Sequence, residues 1–467
     1  MQYVSTRANA PVLAFDDVLL TGLARDGGLY LPESWPTIDR ATQRDLSDLP
    51  YGDLAARIVR PFVGDTLSDD DLGAIARDTY AGFDHTAVAP LRQVDSQLWL
   101  MELFHGSTLA FKDYAMQLLG RLFDHFLAVR GERVTIIGAT SGDTGSAAIE
   151  AVRDRANIDI FMLHPKGRVS DVQRRQMTTV LADNVFNIAI DGSFDDCQNA
   201  VKALFADGDF RDRAHLSAVN SINWARIAAQ IVYYAAASLK LGSTDRPVSF
   251  SVPTGNFGNV LAAYVGRQMG LPVGKLIVGC NQNDILDRFF RTGEMTAQTV
   301  MPTIAPSMDI QISSNFERYL FELLDRDGAR LTEVMGQFRS TGQFGLDAAT
   351  MERARGDFAS HRLDDDGIRT TIAQVKKETG MVIDPHTAVG IAAARAEQTE
   401  GPTVALACAH PAKFPDAVEA ACGVRPELPD HLADLHDRPE RSFDMSPDLE
   451  GLKDFIGQNA RILSRAA

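Results

Sequence analysis

Cysteine is scarce in this chain: Cys197, Cys280, Cys408 and Cys422 are the only four in 467 residues, and no two form a C-x-x-C pair. That spacing argues against a disulfide framework or a zinc site, and for a reducing compartment. An excess of positive charge is missing too. Lys plus Arg number 46 against 62 Asp plus Glu, a net of −16. Such acidity excludes a general nucleic-acid or anionic-membrane surface and leaves room only for a local basic pocket. No uninterrupted apolar run approaches the ~20 residues needed to cross a bilayer. The opening MQYVSTRANAPVLAFDD lacks the basic-then-apolar layout of a secretory signal. A cytoplasmic protein is expected, with neither nucleic acid nor membrane as partner. Internal repeats and low-complexity tracts are absent as well.

What is present reads as an ordinary globular chain, with 45% hydrophobic and 23% charged residues over a length that implies two or three domains. From about residue 130, short β-rich runs alternate with amphipathic stretches. RVTIIGA (133–139), IDIFMLHP (158–165), NVFNIAI (184–190), PVSFSVP (247–253), KLIVGCN (275–281) and TVALACA (403–409) read as strands. SAAIEAVRD, INWARIAAQIVYYAAASL and NVLAAYVGRQMG between them read as helices. This alternation predicts an α/β fold, a mainly parallel sheet with helices on both faces. We divide the chain into an N-terminal domain (1–95), an α/β core (96–425) and a C-terminal wrapping segment (426–467). Within the core, a smaller subdomain spans about 130–215 and a helical insertion about 283–380.

Two Gly-rich turns follow strands and precede helices, where open α/β sheets bind ligands. GATSGDTG, residues 138–145, offers Thr140, Ser141 and Thr144 hydroxyls at a helix N-terminus, suited to a carboxylate or phosphate. PTGNFGN, residues 253–259, lets Gly255, Asn256, Phe257 and Gly258 turn successive N–H groups onto one phosphate. Neither is a nucleotide P-loop or a dinucleotide G-x-G-x-x-G. Each alone also reads as a plain tight turn. SDDD (68–71) and DDDG (364–367) tempt a metal reading, but neither continues into a calcium-loop pattern. Ser68 with three aspartates suits a helix N-terminus better, and no metal is expected.

The segment HGSTLAFKDYAMQLLG, residues 105–120, places Lys112 in one helical row with Met116, Leu119 and Phe123. An amine held in an apolar row suits condensation with an aldehyde cofactor. The alternative is a lysine whose stem packs while its head reaches water. With a phosphate cradle downstream, read as lying in the same sheet, pyridoxal 5′-phosphate is the expected cofactor.

HGSTLAFKDYAMQ, ATSGDTG, SINWARIAAQ, VPTGNFGN, SSNFER, DPHTA and AHPAKF, in this order, resemble the threonine synthase family, and so does the opening YVSTRANAPVLAFDDVLLTGLARDGGLYLP. The likeness runs from about residue 3 to residue 415 and points to the longer, microbial and fungal type. It implies a fold-type II pyridoxal-phosphate enzyme, similar to the tryptophan synthase β chain, with two parallel-sheet subdomains, an N-terminal domain and a helical insertion. The implied reaction turns O-phospho-L-homoserine and water into L-threonine and phosphate, the last step of threonine biosynthesis. On this likeness Lys112 is the Schiff-base lysine and moves protons at Cα, Cβ and Cγ. Gly255, Asn256, Phe257 and Gly258 hold the cofactor phosphate. Thr140, Ser141, Gly142 and Asp143 surround the substrate carboxylate and the ring hydroxyl. Asn220, Ser221, Arg226 and Thr144 bind the substrate phosphate, and Ser107 and Thr108 join the substrate-binding set. Cys408 stands where the family commonly has a threonine facing the pyridine nitrogen. Ser107 stands where it often has proline, either loosening or capping the start of the lysine helix. The rival readings are another fold-type II lyase, such as a serine/threonine dehydratase or phospho-lyase, and a non-catalytic binder of the cofactor or of a phosphorylated metabolite. Monomer and homodimer are both compatible with the sequence.

Overall fold

The computed structural model describes residues 1–464 apart from 220, 244 and 398. Its contacts divide it into two units. One comprises Met1–Val18, Leu23–Phe111 and Ser221–Pro426; the other comprises Leu19–Gly22, Lys112–Asn220 and Glu427–Ala467. All six strand runs read from the sequence form, as Val134–Ala139, Ile158–Pro165, Val185–Ile190, Val248–Pro253, Val273–Cys280 and Thr403–Ala407. They do not share one sheet. The first three lie in a five-stranded sheet and the last three in a six-stranded one, so the two Gly-rich turns belong to different sheets. Alternating strand and helix patterns predict parallel pairing but not which strands pair, since partners are chosen by contacts far apart in sequence.

In the first unit the sheet runs Phe358–Arg362, Val273–Cys280, Val248–Pro253, Thr403–Ala407, Leu98–Glu102, Leu91–Gln93. All neighbours are parallel except the last pair. Every residue of Val248–Pro253 and Thr403–Ala407 is buried, as central strands covered on both faces should be. Phe358–Arg362 carries no such apolar run, and Leu98–Glu102 carries a brief one, LWLM; neither strand is read from the sequence. LWLME is short, and FASHR is a half-polar edge strand inside the otherwise mostly helical residues 283–380. Leu98–Glu102, Val248–Pro253 and Thr403–Ala407 run the same way. The segments leaving their carboxyl ends, 103–111, 254–258 and 408, therefore emerge on one edge of the sheet.

Beneath this sheet, Leu98, Leu100, Ile372, Val375, Ile383, Val389 and Ala405 form one buried apolar cluster. The acidic stretches start helices here. Ser68 Oγ accepts from Asp71 N at the start of Asp69–Tyr80, and Asp364 caps Asp365–Thr379 through Gly367 N.

The second unit holds an all-parallel sheet in the order Phe443–Met445, Val185–Ile190, Ile158–Pro165, Val134–Ala139, Leu216–Ser217. The C-terminal segment supplies the first of these strands and a helix, Leu449–Asn459. Leu452 and Ile456 of that helix are fully buried with Ile137, Phe161, Leu163 and Ile188. Each such side chain contributes about 1.5–3 kcal/mol, so the tail is part of the core. Arg461 fastens its end, Nε and the main-chain N donating to the two oxygens of Asp159 at 2.6 and 2.8 Å. Among the described residues no helix is long and apolar enough to cross a membrane.

Candidate active site

Lys112 opens the helix Lys112–Arg130, and its row partners Met116, Leu119 and Phe123 are buried as the pattern predicts. The amine is not wasted in that row. Lys112 Nζ lies 3.2 Å from Asp143 Oδ2, with the two side chains only 11% and 5% exposed. Asp143 begins the next helix, Asp143–Val152, directly after the first Gly-rich turn. Its other oxygen, Oδ1, accepts from Gln173 Nε2 at 2.8 Å. Gln173, buried on the helix Asp171–Thr178, had no sequence signal: it is 30 residues away and belongs to no motif.

Within the turn, Thr140 is a shaping residue. It is buried, and its Oγ1 accepts from Gly142 N and Gly145 N at 3.0 and 2.9 Å. Ser141 is exposed and Thr144 half-buried. Gly142 has φ of +140°, and a Cβ there would sit 2.5 Å from Gln173 Cδ. Gly142→Ala is therefore expected to lower stability by roughly 2 kcal/mol or more, from strained backbone and displaced Gln173 together. Denaturant titration checks this, and a cost below half that figure would show that Gln173 moves aside freely.

The first unit holds the remaining candidates. The helix Gly258–Gln268 starts after Phe257, whose φ of +63° is left-handed. A non-glycine residue there costs about 1–2 kcal/mol, and the buried Phe257 ring, edge-on to Phe316 at 5.0 Å, offsets it. Gly255 and Asn256 stay half-buried and within reach of a ligand. A Cβ at Gly255 would meet Ser307 O at 3.0 Å. The first-turn N–H groups of this helix have no intrahelical acceptor, which makes the loop an anion cradle.

Cys408 follows the strand Thr403–Ala407 and is buried, with its carbonyl accepting from Phe111 N at 2.8 Å. Ser107 and Thr108 occupy the corners of a turn closed by Leu109 N to Gly106 O at 3.2 Å. Ser107 therefore does not cap the lysine helix, which begins only at Lys112. It sits at the turn position where proline is favoured in its own right. The fully buried Lys413, from AHPAKF, donates Nζ to Thr108 O at 2.6 Å and pins this turn. Arg226 lies in the first turn of Trp224–Leu241, 3% exposed, and burial pulls its guanidinium down to about 10. Ser221 is half-buried beside it in sequence, and Asn220 lies outside the described residues.

The chain's N-terminal 2–80 match the family model "Threonine synthase N terminus", 84–337 match "Pyridoxal-phosphate dependent enzyme", and 387–456 match "Threonine synthase, C-terminal". A threonine synthase of Pseudomonas aeruginosa is 53% identical over 98% of both chains. The chain belongs to the threonine synthase family. Its structure matches that of the PLP-bound threonine synthase from Brucella melitensis with a TM-score of 0.97 at 50% identity, covering 99% of this chain and 100% of that one. The yeast threonine synthase follows at 0.93 and 37%, covering 98% of each. The fold is thus that of the fold-type II pyridoxal-phosphate enzymes. The residues fit such a cofactor: a lysine amine on a buried carboxylate, a helix-start cradle for a phosphate, and a buried thiol at the end of the strand next to that cradle.

A histidine cluster adjoins the turn at 106–109. His105 Nδ1 lies 2.8 Å from Asp84 and Nε2 3.1 Å from Glu102, and its ring packs 5.0 Å from His85. Burial pulls His105 down, but Glu102 and Asp84 outweigh it and raise its pKa. His410 is pushed down to about 4 by burial and then by the His105 charge, against the pull of Asp384, Asp84 and Glu102. His410 is therefore neutral in the fold where the unfolded chain, with an ordinary value of 6.5, takes up a proton. Stability from this group is complete above pH 6.5 and is lost as pH falls towards 4, at up to about 1.4 kcal/mol per pH unit. His105 has the opposite sign: its contribution is complete below its ordinary 6.5 and is lost only above it. Unfolding free energies measured across this window should flatten in His410→Asn, and an unchanged slope would assign the acid lability elsewhere.

Proposed function

We propose that the protein converts O-phospho-L-homoserine and water to L-threonine and phosphate. The observation that carries this reading is the Lys112 amine set on Asp143 at a helix start, in a chain whose residues 2–80 and 387–456 match the threonine synthase models and whose residues 84–337 match the pyridoxal-phosphate enzyme model. Gly255, Asn256, Phe257 and Gly258 would hold the cofactor phosphate, Lys112 its aldehyde carbon, and Cys408 would face the ring nitrogen. A thiol is a weak hydrogen-bond partner and, like the hydroxyl it replaces, leaves that nitrogen without a proton. When bound, pyridoxal phosphate supplies the electron-withdrawing ring that makes carbons near the substrate amine acidic.

Lys112 Nζ then takes the proton from substrate Cα and serves again at Cβ and Cγ, since one amine on a long stem reaches all three. Asp143 gives the ammonium its counter-ion between steps, and Gln173 keeps that carboxylate in one orientation. Thr140, Ser141 and Thr144 offer the hydroxyls of their turn to the substrate; Thr140 Oγ1 accepts from Gly142 N and Gly145 N and keeps its O–H to donate. Ser221, Arg226 and Asn220 receive the substrate phosphate, where a guanidinium fork suits a dianion. Charge and cysteine usage support a cytoplasmic enzyme acting on a small molecule alone.

The test incubates holoenzyme with O-phospho-L-homoserine and separates the products. Threonine and phosphate in equal amounts are expected. Predominant 2-oxobutyrate would make the protein a lyase that stops at elimination, and cofactor uptake without turnover would make it a binder.

A further inference from the structure

The motif SSNFER, residues 313–318, has no role in the chemistry above, yet it touches both phosphate-binding segments of the first unit. Ser313 Oγ donates to Gly255 O at 2.7 Å, and Asn315 N donates to Asn256 O at 3.0 Å. Ser314 Oγ reaches Asn256 Oδ1 at 3.3 Å. The cradle is thus held by its carbonyls and one side chain, which leaves its N–H groups turned to the ligand side. Asn315, fully buried, also donates Nδ2 to Ser221 O at 3.0 Å, on the segment assigned to the substrate phosphate. Its Oδ1 accepts from Arg318 Nη1.

Arg318 in turn locks the hub. It is 1% exposed and donates to Ile222 O at 2.5 Å and to Tyr30 O at 2.8 and 2.9 Å. Its guanidinium lies 5.6 Å over the Trp224 ring, and burial pulls it down to about 9. Glu317, between them, pairs with Arg7 at 2.9 Å and accepts from Thr6 Oγ1 at 2.7 Å. One six-residue stretch therefore fixes the cofactor-phosphate turn, the Ser221–Ile222 main chain and the N-terminal strand pair.

We infer that Ser313 and Asn315 are positioning residues that set the two phosphate sites separately: Ser313 shapes the cofactor cradle, and the Asn315 amide aims the Ser221–Arg226 segment at the substrate phosphate. This rests on the function proposed above. Two near-isosteric variants separate the roles. Ser313→Ala removes only the bond to Gly255 O and should weaken cofactor affinity of the apoenzyme about tenfold, with the KM for O-phospho-L-homoserine changed less than twofold. Asn315→Asp keeps the acceptor for Arg318 and the main-chain bond to Asn256 but loses the donor to Ser221 O. It should raise that KM and the inhibition constant for inorganic phosphate about tenfold, with cofactor affinity within twofold of the parent. Cofactor affinity is read by titrating apoenzyme and following the yellow absorbance band.

Either variant leaving both affinities unchanged overturns its half of the inference. Equal losses at both sites, or a fallen melting temperature with intact affinities in the folded fraction, would make the hub a plain structural one and overturn the whole. Failure of the parent to take up cofactor or make threonine would instead sink the functional reading.

Discussion

Lys112→Ala is expected to abolish threonine formation, with kcat lowered by at least about 10⁴-fold, and to remove the yellow band of cofactor held by the protein. The amine is the only group of its helix start that pairs covalently with an aldehyde, and no water-borne amine replaces it at the density a tethered one has. The substitution also takes the ammonium from Asp143, which is 5% exposed and keeps Gln173 Nε2 at 2.8 Å. A buried carboxylate that loses its counter-ion destabilises the fold by about 3–5 kcal/mol when nothing relaxes. Lys112→Arg separates the two losses. Arginine keeps a cation on Asp143, so stability should recover, but it forms no lasting bond to the aldehyde and activity should not. Measurable turnover in Lys112→Arg at more than a thousandth of the parent rate would assign the proton transfers to another residue.

Arg226→Gln is expected to raise the KM for O-phospho-L-homoserine by about 100-fold, the loss of a charge-assisted bidentate contact worth roughly 3 kcal/mol. The position argues for a large effect. The guanidinium is 3% exposed and pulled down to about 10 by burial, so it carries a desolvation cost. It also sits in the first turn of Trp224–Leu241, where Asn223 Oδ1 caps Ala225 N at 3.1 Å and fixes the side chain's origin. Cofactor uptake should stay within a few-fold of the parent, since the cradle at Gly255 to Gly258 is a separate loop. Arg226→Lys should fall between, keeping charge without the planar fork. Loss of cofactor affinity in step with KM would show that Arg226 supports the unit's core instead of the substrate.

Much of this was written locally. The strands from Val134 to Ala407 announced themselves as apolar runs, and the turns after them announced themselves through glycine and hydroxyl residues at a strand-to-helix junction. Ser68 and Asp364 were legible as acidic helix starts rather than metal ligands because capping needs only the next three residues. Lys112 stood out because its neighbours at helical spacing are apolar and it is not.

The partners were not legible. Asp143 is 31 residues from Lys112, Lys413 is 305 from Thr108, and Asn315 is 94 from Ser221. No period or propensity links positions so far apart. The edge strand FASHR was missed because it buries too few side chains to give a pattern, and LWLME because its brief apolar run follows no strand–helix alternation in the N-terminal stretch. The assignment of both Gly-rich turns to one sheet failed for a related reason: each strand's pattern reports its own burial and says nothing of its neighbour.

By itself the sequence determined the α/β class and the family, and it singled out the amine and the turn proposed here to hold the cofactor, because each is carried by side chains close together along the chain. Tertiary structure alone decided which carboxylate receives the amine, which glutamine steadies it, that the two Gly-rich turns grow from separate sheets, and that one buried asparagine and arginine tie the Asn256 turn to the Ser221–Ile222 main chain. Those choices depend on hydrogen bonds whose ends meet only after the backbone has folded, and a buried polar group has no say in local pattern until it must find its partner.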